Sequence, residues 1–339
     1  MAGPHDDIAA VLARFPQDCQ PRGVEYLDAA GGFSGARFWR LNTPRGRLCL
    51  RRWPVEHPDR SRLAFIHSVL RHVGSSGFTE IAAPIPTDSP DQATFVFSAG
   101  HYWELTPWLT GTADYHAKPS PNRLKTALRA LARFHLAAAS FGELSGRNGP
   151  APAIQNRQNT ARRWLAGDLD RLAGAMSDRE AVEWPELFRV GSRIVQQFRS
   201  VGPTIADQMA EVADLPVPIQ PCIRDIWEQH VLFEGENVSG IVDFGAMRPD
   251  TVATDIARLV GSLAEDCRND WDSAVQAYCD VRPLADNEHQ LVAVLDRSSV
   301  ALAGLNWLRW IYLDRRSFAQ KEVIEARLKT ILRRLSQLP

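Results

Sequence analysis

A chain of 339 residues with 45% hydrophobic and 23% charged side chains is long enough to bury a substantial core and to divide into two lobes or domains. A net charge of −1, with no basic run and no aromatic–basic repeat, gives no electrostatic footprint for nucleic acid. No apolar run approaches the roughly 20 residues of a membrane span, and Cys19, Cys49, Cys222, Cys267 and Cys279 lack CxxC or CxH spacing, so free thiols and a soluble, cytoplasmic protein without membrane or nucleic-acid partners are expected.

Residues 1–16 read as an amphipathic helix rather than a cleaved leader, with His5, Asp6 and Asp7 in the first turn ahead of Ile8, Val11, Leu12 and Phe15. Val24–Leu27 and Ala36–Leu41 have strand character and flank Ala29-Ala30-Gly31-Gly32-Phe33-Ser34-Gly35. Such a loop brings backbone N–H groups close to an anion because no Cβ stands in the way, although the same residues also make an ordinary turn. After a turn at 42–46, Arg47–Trp53 alternates with period two, so Cys49 and Arg51 share one face. Only four of the 39 basic residues are lysines, and none lies in the first 117 residues. Residues 59–73 predict a helix with Leu63, Ile66, Leu70 and Val73 on one face; it contains no Glu, and His67 is its inward-facing polar candidate. A hairpin at Thr94–Phe97 and His101–Leu105 leads to Thr106-Pro107-Trp108-Leu109-Thr110-Gly111.

Beyond residue 107 the periodicity turns helical, first over Asn122–Ala139, where His135 reads as a packed core residue. Helices over Thr160–Met176, Trp184–Phe198 and Pro203–Val212 follow. Pro216-Val217-Pro218 then leads into Ile223-Arg224-Asp225-Ile226-Trp227-Glu228-Gln229-His230. Val231–Phe233 and Val238–Val242 are β-prone and flank Glu234–Asn237, so a hairpin would carry Asp243 back beside Asp225. A helix holding Asp255, Arg258 and Leu259 comes next, and the last hundred residues are helical. There Trp307, Trp310 and Tyr312 sit among Arg309, Arg315 and Arg316, either as core or as a cage for a quaternary ammonium group.

Asp225, Val231-Leu232-Phe233, Val242-Asp243-Phe244 and Asp255-Ile256-Ala257, in this order, resemble the aminoglycoside phosphotransferase and choline kinase-like family. The resemblance implies an α+β, protein-kinase-like two-lobed fold: a small antiparallel-sheet lobe with one main helix over 1–106, and a larger, mostly helical lobe over 107–339. It implies ATP and Mg²⁺ as cofactors and a small molecule bearing a hydroxyl as acceptor. Asp225 would orient and deprotonate that hydroxyl, with Arg224 in the place of the Arg of a His-Arg-Asp triplet. Asp243 and His230 fall at the metal positions; Gly31, Gly32, Ser34 and Gly35 would cover the phosphates; Cys49 would lie against adenine and Arg51 reach the phosphates; main chain near Leu105 and Pro107 would pair with adenine. Asp255 would hold the catalytic-loop backbone.

Four positions depart from the family pattern: Ile223 for His, His230 for Asn, Arg51 for Lys, and no Glu in the helix after it. Imidazole suits Mn²⁺ better than Mg²⁺, so His230 points to a weaker second metal site, an altered metal preference or a single-metal mechanism. Arginine supplies charge and a bidentate fork but needs a partner for orientation. The competing expectation is a pseudokinase-like module that keeps the fold and binds nucleotide or a partner without turnover.

Overall fold

In a computed structural model, described over residues 4–27, 35–176, 184–316, 318 and 321–338, alternation of side chains builds the first element of the fold, a five-stranded antiparallel sheet. Its strands are β1 (Gly23–Tyr26), β2 (Arg37–Thr43), β3 (Gly46–Arg52), β4 (Phe95–Ser98) and β5 (His101–Pro107), in the order β1-β2-β3-β5-β4. Period two sends Trp39, Leu41, Leu48, Leu50, Trp103 and Leu105 to one face, where they pack with Ile8, Val11, Leu12 and Phe15 from α1 (Pro4–Leu12) and the turn after it. Cys49 and Arg51 therefore share the opposite face of β3. The helix α2 (Arg60–Ser75) starts where Asp59 accepts the Arg62 N–H at 2.8 Å, and it buries Leu63, Ile66, His67, Leu70 and Val73.

By contact the chain forms two compact units, Met1–Gly142 with Asp225–Arg248, and Glu143–Arg224 with Pro249–Pro339. Residues 107–142 and the hairpin after the catalytic loop thus group with the sheet rather than with the helices. The reasons are local. The hairpin pairs Val231–Glu234 with Asn237–Ile241, and its Phe233 exchanges both backbone hydrogen bonds with Thr112, at 3.1 and 2.9 Å. Its turn sits on α3 (Pro121–Ala138), where Thr126 donates to the Glu236 carbonyl at 2.8 Å and Ser120 to its carboxylate at 2.6 Å. Arg123 of α3 lies 4.1 Å from the Phe233 ring centroid and donates to Asp114.

The second unit is helical: α4 (Pro152–Arg163), α5 (Leu169–Ala175), α6 (Pro185–Glu211), α7 (Ala253–Leu263), α8 (Arg268–Cys279), α9 (Asp286–Leu308) and α10 (Lys321–Leu335). Two boundaries differ from the sequence reading. The helix expected over 160–176 starts at Pro152 and is interrupted by a widened turn at Trp164–Asp168, where Gly167 has φ +138°. The two helices expected around Pro203 are one helix of 27 residues. An interior proline costs about 3 kcal/mol through its lost N–H, and burial of Ile194, Val195, Phe198, Val201, Ile205 and Met209 along the same face offsets it. Contrary to the absence of a span-length apolar run, Asp286–Leu313 is long and apolar enough to cross a membrane by length and composition, yet 67% of its most apolar window is buried.

Two outcomes follow from the packing of the 107–142 segment. Gly111 has φ +94° and a Cβ there would lie 2.9 Å from the Phe233 carbonyl oxygen, so Gly111→Ala should lower unfolding stability by about 2–4 kcal/mol. Gly100→Ala, at φ +78° with nothing within 4 Å, should lose only about 1 kcal/mol; equal losses in denaturant titration would contradict this packing. Hydrogen bonds from Lys118 and then Arg123 hold the Asp114 carboxyl at about 2, below its ordinary 3.8. A depressed folded-state value contributes stability above about pH 4 that is lost as pH falls toward 2, and Asp114→Asn should flatten the acid limb of a stability–pH curve in that window.

Candidate active site

The approach to Asp225 is fixed through its backbone. Asp255, in the first turn of α7 and fully buried, accepts the N–H groups of Ile223 and Arg224, both at 2.6 Å. These two bonds hold Arg224 at φ +68°, a left-handed conformation that a side chain bearing Cβ adopts only under such constraint. The Arg224 guanidinium does not reach outward for an anion: its Nε lies 3.3 Å from Oδ2 of buried Asp250, whose other oxygen caps α4 through the Ala153 N–H at 3.2 Å. Arg224 thus pairs with Asp250, and Asp255 holds the backbone ahead of Asp225 as expected.

Asp225 and Asp243 are linked by the residue that departs most from the family pattern. His230 Nδ1 is 2.9 Å from the Asp225 carbonyl oxygen, and its Nε2 is 2.8 Å from the Trp227 indole N–H and 3.7 Å from Asp243 Oδ2. An indole nitrogen only donates and a carbonyl only accepts. The network therefore assigns His230 as the neutral Nδ1–H tautomer with its Nε2 lone pair facing Trp227. Both ring nitrogens of His230 thus have partners within its own segment, and the imidazole joins the Asp225 carbonyl to the neighbourhood of Asp243.

Asp243 follows the hairpin, where its own φ of +60° turns the chain sharply. Phe244 stacks on Phe134 of α3, with ring centroids 5.7 Å apart. Burial works against the ionised Asp243 carboxyl, and the Arg51 guanidinium outweighs it, so this group titrates below the ordinary 3.8. Arg51 Nη2 donates to Asp243 Oδ1 at 3.2 Å. The two residues lie 192 positions apart in the chain.

The surroundings of Arg51 contain two residues that the sequence reading gave no role in the site, Trp53 and Glu104. Arg51 is 8% exposed, its guanidinium lies 3.4 Å from the Trp53 ring centroid, and its Nη1 is 4.0 Å from Glu104 Oε1. Glu104 stands directly opposite Arg51 in the β3–β5 register. Its Oε2 accepts the Trp53 indole N–H at 3.0 Å and lies 2.7 Å from His67 Nε2, while His67 Nδ1 is 2.8 Å from Thr94 Oγ1. Burial opposes the Glu104 carboxylate, but His67 first, then Arg51 and Trp53, hold it below the ordinary carboxyl range. Gly245 completes the packing: a Cβ there would come within 3.1 Å of the Trp53 ring. Removing one member of such a buried charge pair costs about 3–5 kcal/mol by stranding the other.

The remaining candidates are less informative. Gly31, Gly32 and Ser34 lie outside the described residues, and Gly35 has φ +76°. Burial pushes the Cys49 thiol up to about 12, so it is an inert apolar surface on the Arg51 face of β3. Leu105 is fully buried in the sheet core, and its carbonyl already accepts the Ile85 N–H at 2.8 Å; Pro107, without an N–H, ends β5. His135 is fully buried. In the second unit the aromatic cluster is no open cage, because Arg327 lies 5.5 Å from the Trp307 ring centroid and Arg316 5.1 Å from that of Trp310. The chain's own cations occupy positions an ammonium ligand would need.

The family model of the phosphotransferase enzyme family matches residues 25–284. The homoserine kinase of Rhodopseudomonas palustris is 25% identical over 304 residues, covering 87% of this chain and 81% of its own length. That of Brucella anthropi is 25% identical over 305 residues, covering 88% and 83%. Among solved structures, an aminoglycoside phosphotransferase from Alicyclobacillus acidocaldarius is similar with a TM-score of 0.55 at 19% identity, covering 97% of this chain and 95% of that one. An amicoumacin kinase in complex with AMP-PNP and Ca²⁺ is similar with a TM-score of 0.63 at 13% identity, covering 99% and 96%. These likenesses establish the kinase-like fold, and with the family match spanning most of its length the chain belongs to the phosphotransferase enzyme family.

Proposed function

We propose that the protein is an ATP-dependent small-molecule kinase that transfers the terminal phosphoryl group to a hydroxyl of a small metabolite. The observation that carries this reading is the meeting of Arg51 and Asp243 beside the Asp225 loop. Asp225 would accept the acceptor's hydroxyl proton as its oxygen bonds to the terminal phosphorus and the bond to the bridging oxygen breaks, releasing ADP. Arg51 would hold phosphate oxygens: its buried Nε has no hydrogen-bond partner among the described residues, so the fork retains a donor. The Gly31–Gly35 loop would cover the phosphates, and Cys49 with main chain near Leu105 and Pro107 would take the base.

Asp243 offers hard carboxylate oxygens that fit a divalent cation such as Mg²⁺. A bound cation would supply positive charge to the phosphates as negative charge moves onto the leaving group. His230, neutral and hydrogen-bonded at both nitrogens, would order the loop instead of binding the cation.

Relatives that are homoserine kinases aligned over 81–83% of their length make a hydroxy amino acid the first acceptor to test. Arg316 and Arg327, already over the Trp310 and Trp307 rings, disfavour a quaternary ammonium acceptor at that cluster. One observation favours a second reading, a nucleotide-binding module without turnover: the Trp227–His230 bond closes the position that holds a metal-binding Asn in the family.

ADP formation from ATP with L-homoserine and a panel of small hydroxyl compounds should be detectable. Asp225→Asn should lower kcat by about 10²–10⁴-fold while nucleotide still raises the melting temperature; no turnover with any acceptor, alongside normal nucleotide binding, would favour the module. His230→Asn should leave the ratio of Mg²⁺- to Mn²⁺-supported nucleotide stabilisation within about twofold. A tenfold change would show that the imidazole is a ligand after all.

A further inference from the structure

The helix that follows β3 lacks the carboxylate expected to orient the β3 cation, and the geometry around Arg51 points to a different solution. We infer that Glu104, on the neighbouring strand β5, is the positioning carboxylate for Arg51, and that His67 of α2 acts through Glu104 instead of contacting the cation. This inference rests on the kinase reading above.

Three observations converge on it. Register places Glu104 directly across from Arg51, where antiparallel side chains on one face are closest neighbours. Glu104 is itself immobilised: one oxygen takes both the Trp53 indole N–H at 3.0 Å and the His67 ring at 2.7 Å, leaving the other facing Arg51 Nη1 at 4.0 Å. Thr94 fixes the far side of the His67 ring at 2.8 Å. His67, Thr94 and Glu104 are exposed by only 2%, 8% and 8%, so water does not compete for these contacts.

The arrangement has a mechanical consequence. Trp53 stacks under the guanidinium and donates to Glu104, so the indole sets the plane of the fork, while Glu104 opposite Nη1 at 4.0 Å and the bond to Asp243 at 3.2 Å set its rotation. An Arg needs no carboxylate to stay charged; what Glu104 contributes is direction. Glu104 faces Nη1 while Asp243 takes Nη2 at 3.2 Å, so the two carboxylates address different arms of the fork.

The test compares ATP with adenosine, which lacks every group Arg51 would touch, by titration calorimetry on the full chain with Mg²⁺. Glu104→Gln should weaken ATP binding by about tenfold or more, the size of a charge-assisted hydrogen bond, and leave adenosine within about twofold. His67→Gln should shift ATP in the same direction by a smaller factor, again sparing adenosine, and it carries the comparison should Glu104→Gln not fold. Parallel weakening of both ligands, or unchanged ATP binding, would overturn the assignment while wild-type ATP binding upheld the kinase reading. Failure of the wild type to bind ATP at all would sink both.

Discussion

A permanently charged guanidinium, itself nearly buried between two carboxylates and stacked on an indole, is the constraint on which the rest of the candidate site depends. Arg51 approaches Asp243 at 3.2 Å and Glu104 at 4.0 Å, and no charge so buried persists without compensation. Trp53 meets three demands at once. It stacks under Arg51, donates to Glu104 and packs closely against Gly245. The turn bearing Asp243 is thereby drawn onto the same indole that supports the cation. A lysine with a carboxylate from the helix would satisfy the same electrostatics with a point charge. This chain uses a planar fork, which needs direction more than it needs charge.

The second constraint is on the backbone around Asp225. On its N-terminal side, the two N–H groups of Ile223 and Arg224 end on Asp255; on its C-terminal side, the His230 ring reaches back to the Asp225 carbonyl. Both devices hold peptide groups and leave the carboxylate of Asp225 outside their own hydrogen bonds. Positive φ at Arg224 and Asp243 is the strain these devices sustain, and such strain persists only where surrounding contacts over-determine it.

Much of this was legible in the sequence because it is periodic or local. Period two put Cys49 and Arg51 on one face, the Leu63–Val73 stripe marked α2, and the stretch Glu234–Asn237 between two β-prone runs marked the hairpin that precedes Asp243. The residues that escaped are those whose partners are set by non-local register or by side-chain direction. Glu104 lies about fifty positions from Arg51 and becomes its neighbour only because β5, not β4, pairs with β3. Trp227 is three residues from His230, but nothing in the sequence says that its indole aims at Nε2. Pro203 misled for another reason: burial of one face of α6 outweighs a local helix breaker. The aromatic cluster near Trp307 was ambiguous by spacing, and the chain's own arginines decided it.

The most direct measurement is a calorimetric titration of ATP, with and without a divalent cation, into the wild-type protein and an Arg51→Met variant that keeps the apolar stem and removes the charge. Saturable binding that the cation strengthens and that Arg51→Met weakens by at least about a hundredfold is the expected result. ATP binding of equal strength in both proteins would show that Arg51 is a structural cation, and the site would then lack its phosphate anchor.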